Sequence, residues 1–109
     1  MTPETFGSVI GAKRREKGYS QKELAERVKL TDDAGNAKPI SPQYLNDIEH
    51  DRRSPSSPEL VTQFSKVLGL NADYLAFLAD RWPESLRRQI RSESDFTSLL
   101  TAFRRTQGK

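Results

Sequence analysis

Two stretches decide how this chain is read: Ser20-Gln21-Lys22-Glu23-Leu24-Ala25, and Ile40-Ser41-Pro42-Gln43-Tyr44-Leu45-Asn46-Asp47-Ile48-Glu49-His50. In the first, Ser20 and Glu23 have the spacing of a capping box, in which a hydroxyl and a carboxylate reciprocally satisfy backbone N–H groups at a helix start. Tyr19 and Leu24 occupy the matching hydrophobic-staple positions, so a helix opens at Gln21 and turns Leu24, Ala25 and Val28 inward. In the second, Ser41-Pro42 supplies a cap and then a proline at the first helical position, where its missing N–H is no loss. Ile40 and Leu45 form another staple. With Leu45 and Ile48 inward, the 3.6-residue period puts Gln43, Asp47 and His50 on the opposite face, flanked by Tyr44 and Asn46. That face is polar and rich in hydrogen-bonding groups.

Upstream, Thr2-Pro3-Glu4 reads as the start of a first helix with Phe6, Val9 and Ile10 on its apolar stripe, a basic run from Lys13 to Lys17, and Gly18 as its stop. Between the two stretches, Lys29 to Pro39 loses helical periodicity, and Asp32-Asp33-Ala34-Gly35-Asn36 is turn chemistry, giving a loop or a small hairpin. Downstream, Ser57-Pro58 opens a fourth helix with Leu60, Phe64, Val67 and Leu68 as core candidates, ended by Gly69. Asn71 caps a fifth, with Leu70 and Leu75 as its staple and Leu78 one turn on. Beyond Trp82-Pro83 comes a short helix with Leu86 and Ile90. A last helix, capped by Ser92 or Ser94, has Phe96, Leu99, Leu100 and Phe103 on one face.

No fixed-period repeat and no strand alternation is present, so the expected fold class is all-α. The expected organisation is a five-helix domain over residues 1–82, with an insertion at about 29–39, and a two-helix extension over 83–109. The apolar stripe Leu86, Ile90, Phe96, Leu99, Leu100 and Phe103 is expected to form a homodimer seam, because a contiguous apolar patch usually marks an interface. The alternative is that these helices fold back on the chain's own core.

Composition narrows the function. Of 109 residues, none is cysteine and only His50 is a histidine, which excludes disulfides, zinc ribbons, cysteine nucleophiles and multi-histidine metal sites. No metal or other cofactor is expected. No apolar run approaches the roughly 18 residues of a membrane span, and the first residues lack the basic-then-apolar order of a secretory signal. A cytoplasmic location without membrane attachment is therefore expected. Eighteen Lys and Arg against fifteen Asp and Glu give a net charge of +3, which permits a polyanionic partner without demanding one. An enzyme is not expected, since no nucleophile and base pair, metal set or phosphate loop is written in the chain.

A capped helix with Gln at its first position, a core alanine, a turn, and a capped helix with a polar outer face is how a helix-turn-helix is written. The first helix is set against a phosphate while the second lies in the major groove, where every base pair has a distinct donor and acceptor pattern. The ordered set Ile10, Arg14, Gly18, Ser20-Gln21, Leu24-Ala25, Ile40-Ser41, Tyr44-Leu45, Ile48-Glu49, Arg52-Arg53 and Pro55, continuing through Leu68 to Leu75, resembles the phage-repressor-like Xre family over roughly residues 5–80. The resemblance implies a five-helix domain that binds double-stranded DNA as a dimer on a palindromic operator and regulates transcription, most simply as a repressor.

By position, the resemblance gives Ser20 a capping role. It has Gln21 buttress the recognition helix and contact phosphate or a base. Pro42, Gln43 and Asp47 lie at the groove, with Ser41 a DNA-binding candidate beside them, and Arg52 and Arg53 fall in the loop that touches phosphates. Arg14 and Glu49 sit where that family often has a buried ion pair. Gln43 is the leading base reader, able to pair bidentately with adenine, while Asp47 either accepts from cytosine or selects against wrong sequences. Asn46 and Tyr44 are candidates for bases or the sugar-phosphate backbone, with edge packing as the other reading of Tyr44. His50 reads as a solvated helix end. Lys38, Arg52 and Arg53 are phosphate candidates.

Three departures separate the chain from that family. From Ala25 to Ser41 it runs 16 positions, roughly ten more than the family's compact members. Lys13 stands at a commonly aliphatic position, and Pro42 cannot make the adenine contact of a glutamine there. A different function class remains: an antitoxin or adaptor whose C-terminal segment binds a protein partner.

Overall fold

Each helix begins where a short polar side chain accepts from the backbone N–H three residues on. The computed structural model describes residues 4–80 and 88–107. Ser20 caps α2 (Gln21–Arg27), Ser41 caps α3 (Pro42–Glu49), Ser57 caps α4 (Pro58–Leu68) and Asn71 caps α5 (Ala72–Ala79). All four agree with the sequence. The start of α1 (Phe6–Glu16) does not: its cap is Thr5, whose hydroxyl accepts from Ser8 N at 3.0 Å while Ser8 Oγ accepts from Thr5 N at 2.9 Å. Tertiary partners select this later start. Thr5 donates its hydroxyl to Asp51 at 2.7 Å, and Glu4 accepts from the Tyr74 hydroxyl at 2.6 Å. Thr2 and Pro3 lie outside the described residues.

The helices enclose one core whose fully buried members include Ile10, Leu24, Val28, Leu45, Ile48, Leu60, Phe64, Leu68 and Leu75. Phe6 meets Phe64 edge-on, with ring centroids 5.7 Å apart. Tyr19, Ile40 and Leu70, the outer halves of the three staples, are packed on or in this core beside Leu24, Leu45 and Leu75. Two glycines one turn apart let α1 lie close to α3. A Cβ on Gly7 would collide with the Ile48 and Glu49 carbonyl oxygens, and one on Gly11 would meet Glu49 Oε1 at 3.4 Å.

The insertion is a hairpin. β1 (Lys29–Thr31) pairs antiparallel with β2 (Ala37–Pro39) in the register Lys29 to Pro39, Leu30 to Lys38 and Thr31 to Ala37. Asp32 builds its turn by accepting from Ala34 N and Asn36 N at 3.0 and 2.8 Å, and Gly35 takes the φ of 86° that a Cβ would disfavour. The hairpin leans on α4, where Glu59 accepts from Thr31 Oγ1 at 2.7 Å and Gln63 accepts from Lys29 N at 3.3 Å.

At the C-terminal end, Ser92 caps α6 (Glu93–Gln107), accepting from Asp95 N at 3.3 Å. Phe96 packs against Tyr74 and Phe77, with centroids 5.5 and 5.3 Å away, and Ile90 is buried in the same core. Of the expected short helix before it, Arg88 and Gln89 are helical, while Leu86 lies outside the described residues.

Candidate nucleic-acid interface

The outer side of α3 is organised by a continuous run of hydrogen bonds between side chains from three helices and a loop. At its inner end Arg14 grips Glu49 through Nε to Oε2 at 2.6 Å and Nη2 to Oε1 at 3.1 Å, while Arg14 Nη1 donates to the Tyr19 carbonyl at 2.9 Å. Both side chains of this pair are largely buried. Gln21 then donates Nε2 to Glu49 at 3.1 Å and accepts at Oε1 from Asn46 Nδ2 at 3.3 Å. Both ends of one amide therefore join the first residue of α2 to two residues of α3. Asn46 in turn accepts from Arg52 Nη2 at 2.5 Å.

Arg52 also donates from Nε to Asp47 Oδ1 at 3.1 Å, and Asp47 Oδ1 accepts from Gln43 Nε2 at 3.1 Å. Arg53 lies 3.8 Å from the other oxygen of Asp47. The loop returns to α3 through the backbone as well, since the Arg52 and Arg53 N–H groups both donate to the Asp47 carbonyl, at 2.8 and 3.3 Å. Asp51, at φ 58°, turns the chain there, its N–H donating to the Ile48 carbonyl and its carboxylate accepting from the Thr5 hydroxyl and from Gly7 N.

Gln43 is exposed and Asp47 is half-buried beneath it, with 19% of its side chain accessible. Ser41 caps α3, accepting from Tyr44 N at 3.0 Å. Tyr44 is half-buried, its hydroxyl accepting from Ser56 N at 3.1 Å and its ring lying under the Arg53 guanidinium. Ser20 is exposed in its capping box, and the Glu23 carboxylate that completes the box is held below its usual range by the Ser20 N–H and hydroxyl. His50 is exposed at the end of α3, where its Nδ1 lies 2.8 Å from the Asn46 carbonyl. Lys38 stands apart from this run: on β2, its exposed ammonium lies 3.5 Å from Asp32.

Sequence reasoning found the helix, its polar face and the two arginines. It missed that Gln21, Asn46, Asp47 and Arg52 form a single connected lattice, and it missed Asp51 and Glu59 altogether. Asp51 reaches across 44 and 46 positions to Gly7 and Thr5, and Glu59 across 28 to Thr31, separations that leave no local pattern. The one available signal for Asp51 is its place directly after a short helix, where aspartate is among the few residues that tolerate positive φ.

A second surface lies between α5 and α6. Ala76, Phe77, Ile90, Phe96, Leu99 and Leu100 line a cleft of about 540 Å³ rimmed by Asp73, Asp80 and Arg104. Of the six residues expected at a dimer seam, Ile90 and Phe96 face the chain's own core, Leu100 is half-buried, and Leu99 has 49% of its surface exposed. Leu86 and the side chain of Phe103 lie outside the described residues. No helix among the described residues is long and apolar enough to cross a membrane.

This geometry has relatives. A helix-turn-helix family model matches residues 10–75. The HTH-type transcriptional regulator RamB of Mycobacterium tuberculosis is 30% identical over 95 residues, which is 87% of this chain but only 18% of RamB. Among solved structures, the crystal structure of SinR, the master regulator for biofilm formation, in complex with DNA is 32% identical with a TM-score of 0.50, covering 66% of this chain and 98% of that one. The N-terminal DNA binding domain of SinR from Bacillus subtilis gives 32% and 0.50, over 72% and 96%. The SinR and SinI complex shares the fold at 24% identity and a TM-score of 0.53, over 96% of this chain and 100% of that one. Two capped helices joined through Gln21, Asn46 and Glu49, set within a family match that spans most of the chain, place it in the Xre-like helix-turn-helix family.

Proposed function

We propose that this protein is a transcriptional regulator that binds double-stranded DNA in a sequence-specific way, acting as a homodimeric repressor on a palindromic operator. The observation that carries the reading is the open outer face of α3. Gln43 is exposed there, Arg52 and Arg53 flank it, and the inserted hairpin is tied to α4 by Glu59 and Gln63. Such a helix fits the major groove, which admits an α-helix and exposes base edges to amide and carboxylate groups. In this reading Gln43 reads a base, with Ser41, Asn46 and Asp47 beside it. Ser20, Gln21 and Tyr44 fix the helix against the backbone, and Arg52, Arg53 and Lys38 meet phosphates. Similarity to RamB and to the DNA-bound SinR supports it.

Dimerisation is proposed through the 83–109 segment, distinct from the 1–82 reading domain, with the exposed Leu99 at the centre of the contact and Leu100 beside it, while Ile90 and Phe96 back that face from the chain's own core. The exposed Leu99 beside an apolar cleft also favours a second reading, an adaptor or antitoxin that holds a different protein there. Selection from a random duplex library, followed by footprinting, tests the lead. The expected result is an enriched palindrome with half-sites about 34–36 Å apart. No enrichment over random duplex rejects sequence-specific binding, and a single unrepeated half-site rejects the dimer.

A further inference from the structure

We propose that Asp47 is a positioning residue that sets the polarity of the Gln43 amide, so that the pair selects adenine over guanine; the inference rests on the DNA-reading function proposed above. An amide side chain has two faces of nearly equal shape, one carrying an acceptor and the other two donor hydrogens, and its orientation follows from its partners. An ionised carboxylate only accepts. Asp47 Oδ1, 3.1 Å from Gln43 Nε2, therefore fixes the nitrogen toward α3 and turns Oε1 outward. Asp47 is itself held, by Arg52 Nε on the same oxygen at 3.1 Å and by Arg53 at 3.8 Å from the other. Its half-buried carboxylate is thus fixed from the loop side while the exposed Gln43 hangs from it.

The donor count decides the base. One Nε2 hydrogen is committed to Asp47, which leaves a single hydrogen and the Oε1 acceptor on the free edge of the amide. Adenine in the major groove presents one acceptor, N7, beside one donor, N6–H, and complements that edge. Guanine presents two acceptors, N7 and O6, and meets Oε1 with a second oxygen. Freed from Asp47, the amide can turn its two hydrogens toward guanine. The arginines have a second effect, since they offset the carboxylate's charge where it approaches the phosphates. Arg52 keeps donors to spare, because a guanidinium carries five and the contacts with Asp47 and Asn46 involve only Nε and Nη2.

The test compares full-length wild type, Asp47→Asn, Asp47→Glu and Gln43→Ala on the selected operator, with the base pair assigned to Gln43 by footprinting placed in all four forms. Wild type is expected to prefer adenine to guanine there by about tenfold or more. Asp47→Asn, which can donate as well as accept, should cut that ratio to about twofold while random-duplex affinity stays level or rises, because a negative charge is gone. Asp47→Glu keeps an acceptor-only partner one turn from Gln43 and should restore much of the ratio. Thermal melts establish that each variant is folded; if Asp47→Asn is not, the Asp47→Glu and Gln43→Ala ratios decide alone. The inference is overturned if Asp47→Asn or Gln43→Ala keeps the wild-type ratio, if Asp47→Glu abolishes it, or if discrimination is lost instead at a neighbouring cytosine. Wild type that enriches no sequence overturns the DNA-reading function itself, a result separate from all of these.

Discussion

The Arg14 guanidinium in α1 holds the Glu49 carboxylate at the end of α3 by two hydrogen bonds, at 2.6 and 3.1 Å, and a third donor from Gln21 reaches the same carboxylate. One acid thereby gathers α1, α2 and α3. Removing it leaves a largely buried guanidinium without its counter-charge, a loss of about 3–5 kcal/mol for such pairs. Glu49→Ala is expected to show a loss of this size in urea denaturation, and Arg14→Met with Glu49→Leu a smaller one, because no charge is then stranded. Equal losses in the two proteins would contradict this.

Gly7 lies where α1 runs against the last carbonyls of α3. Gly7→Ala forces the helices apart and strains the N–H bond from Gly7 to Asp51. The expected cost is about 1–3 kcal/mol, the range for overpacking a close contact, although alanine is otherwise the better helix former. A variant as stable as wild type by chemical denaturation would show that the seam yields.

Arg52 is exposed and its pairing with Asp47 adds little to stability, as is usual for such pairs. Its deletion should be felt on DNA. Arg52→Ala is expected to weaken binding to cognate and random duplexes alike and to lower the log–log salt slope by about one phosphate contact. An unchanged slope would remove Arg52 from the backbone contacts.

Leu99 is the residue through which the proposed dimer is most easily broken. Leu99→Glu places a charge at the centre of that contact and should raise the dimer dissociation constant by at least about tenfold in sedimentation equilibrium, as expected for losing a buried leucine. An unaltered constant would exclude α6 from the seam.

Tyr74 supplies a pH dependence. Burial first, and then its hydrogen bond to Glu4, raise its phenol above the ordinary value of 10.0. The unfolded chain gives up that proton at lower pH than the folded one, so this contribution to stability is complete below about pH 10 and is lost as pH rises toward the folded value. Unfolding free energy should therefore fall more steeply above pH 10 in wild type than in Tyr74→Phe. Parallel slopes would show that the phenol is not perturbed.

Local chemistry was legible in the sequence. Ser20, Ser41, Ser57 and Asn71 cap where they were expected to, because a cap and its N–H partner lie three residues apart and need no help from the rest of the molecule. The staples and the inward faces of α2 to α5 followed from the same short-range periodicity, as did the exposure of Gln43. Tertiary structure decided what depends on distant partners. It moved the first helix start to Thr5, because Asp51 and Tyr74 hold the chain there; it folded the insertion against α4 through Glu59; and it linked Gln43 to Asp47 and Arg52. A carboxylate accepts from whatever donors the fold brings within about 3 Å, and sequence spacing does not encode which donors those are.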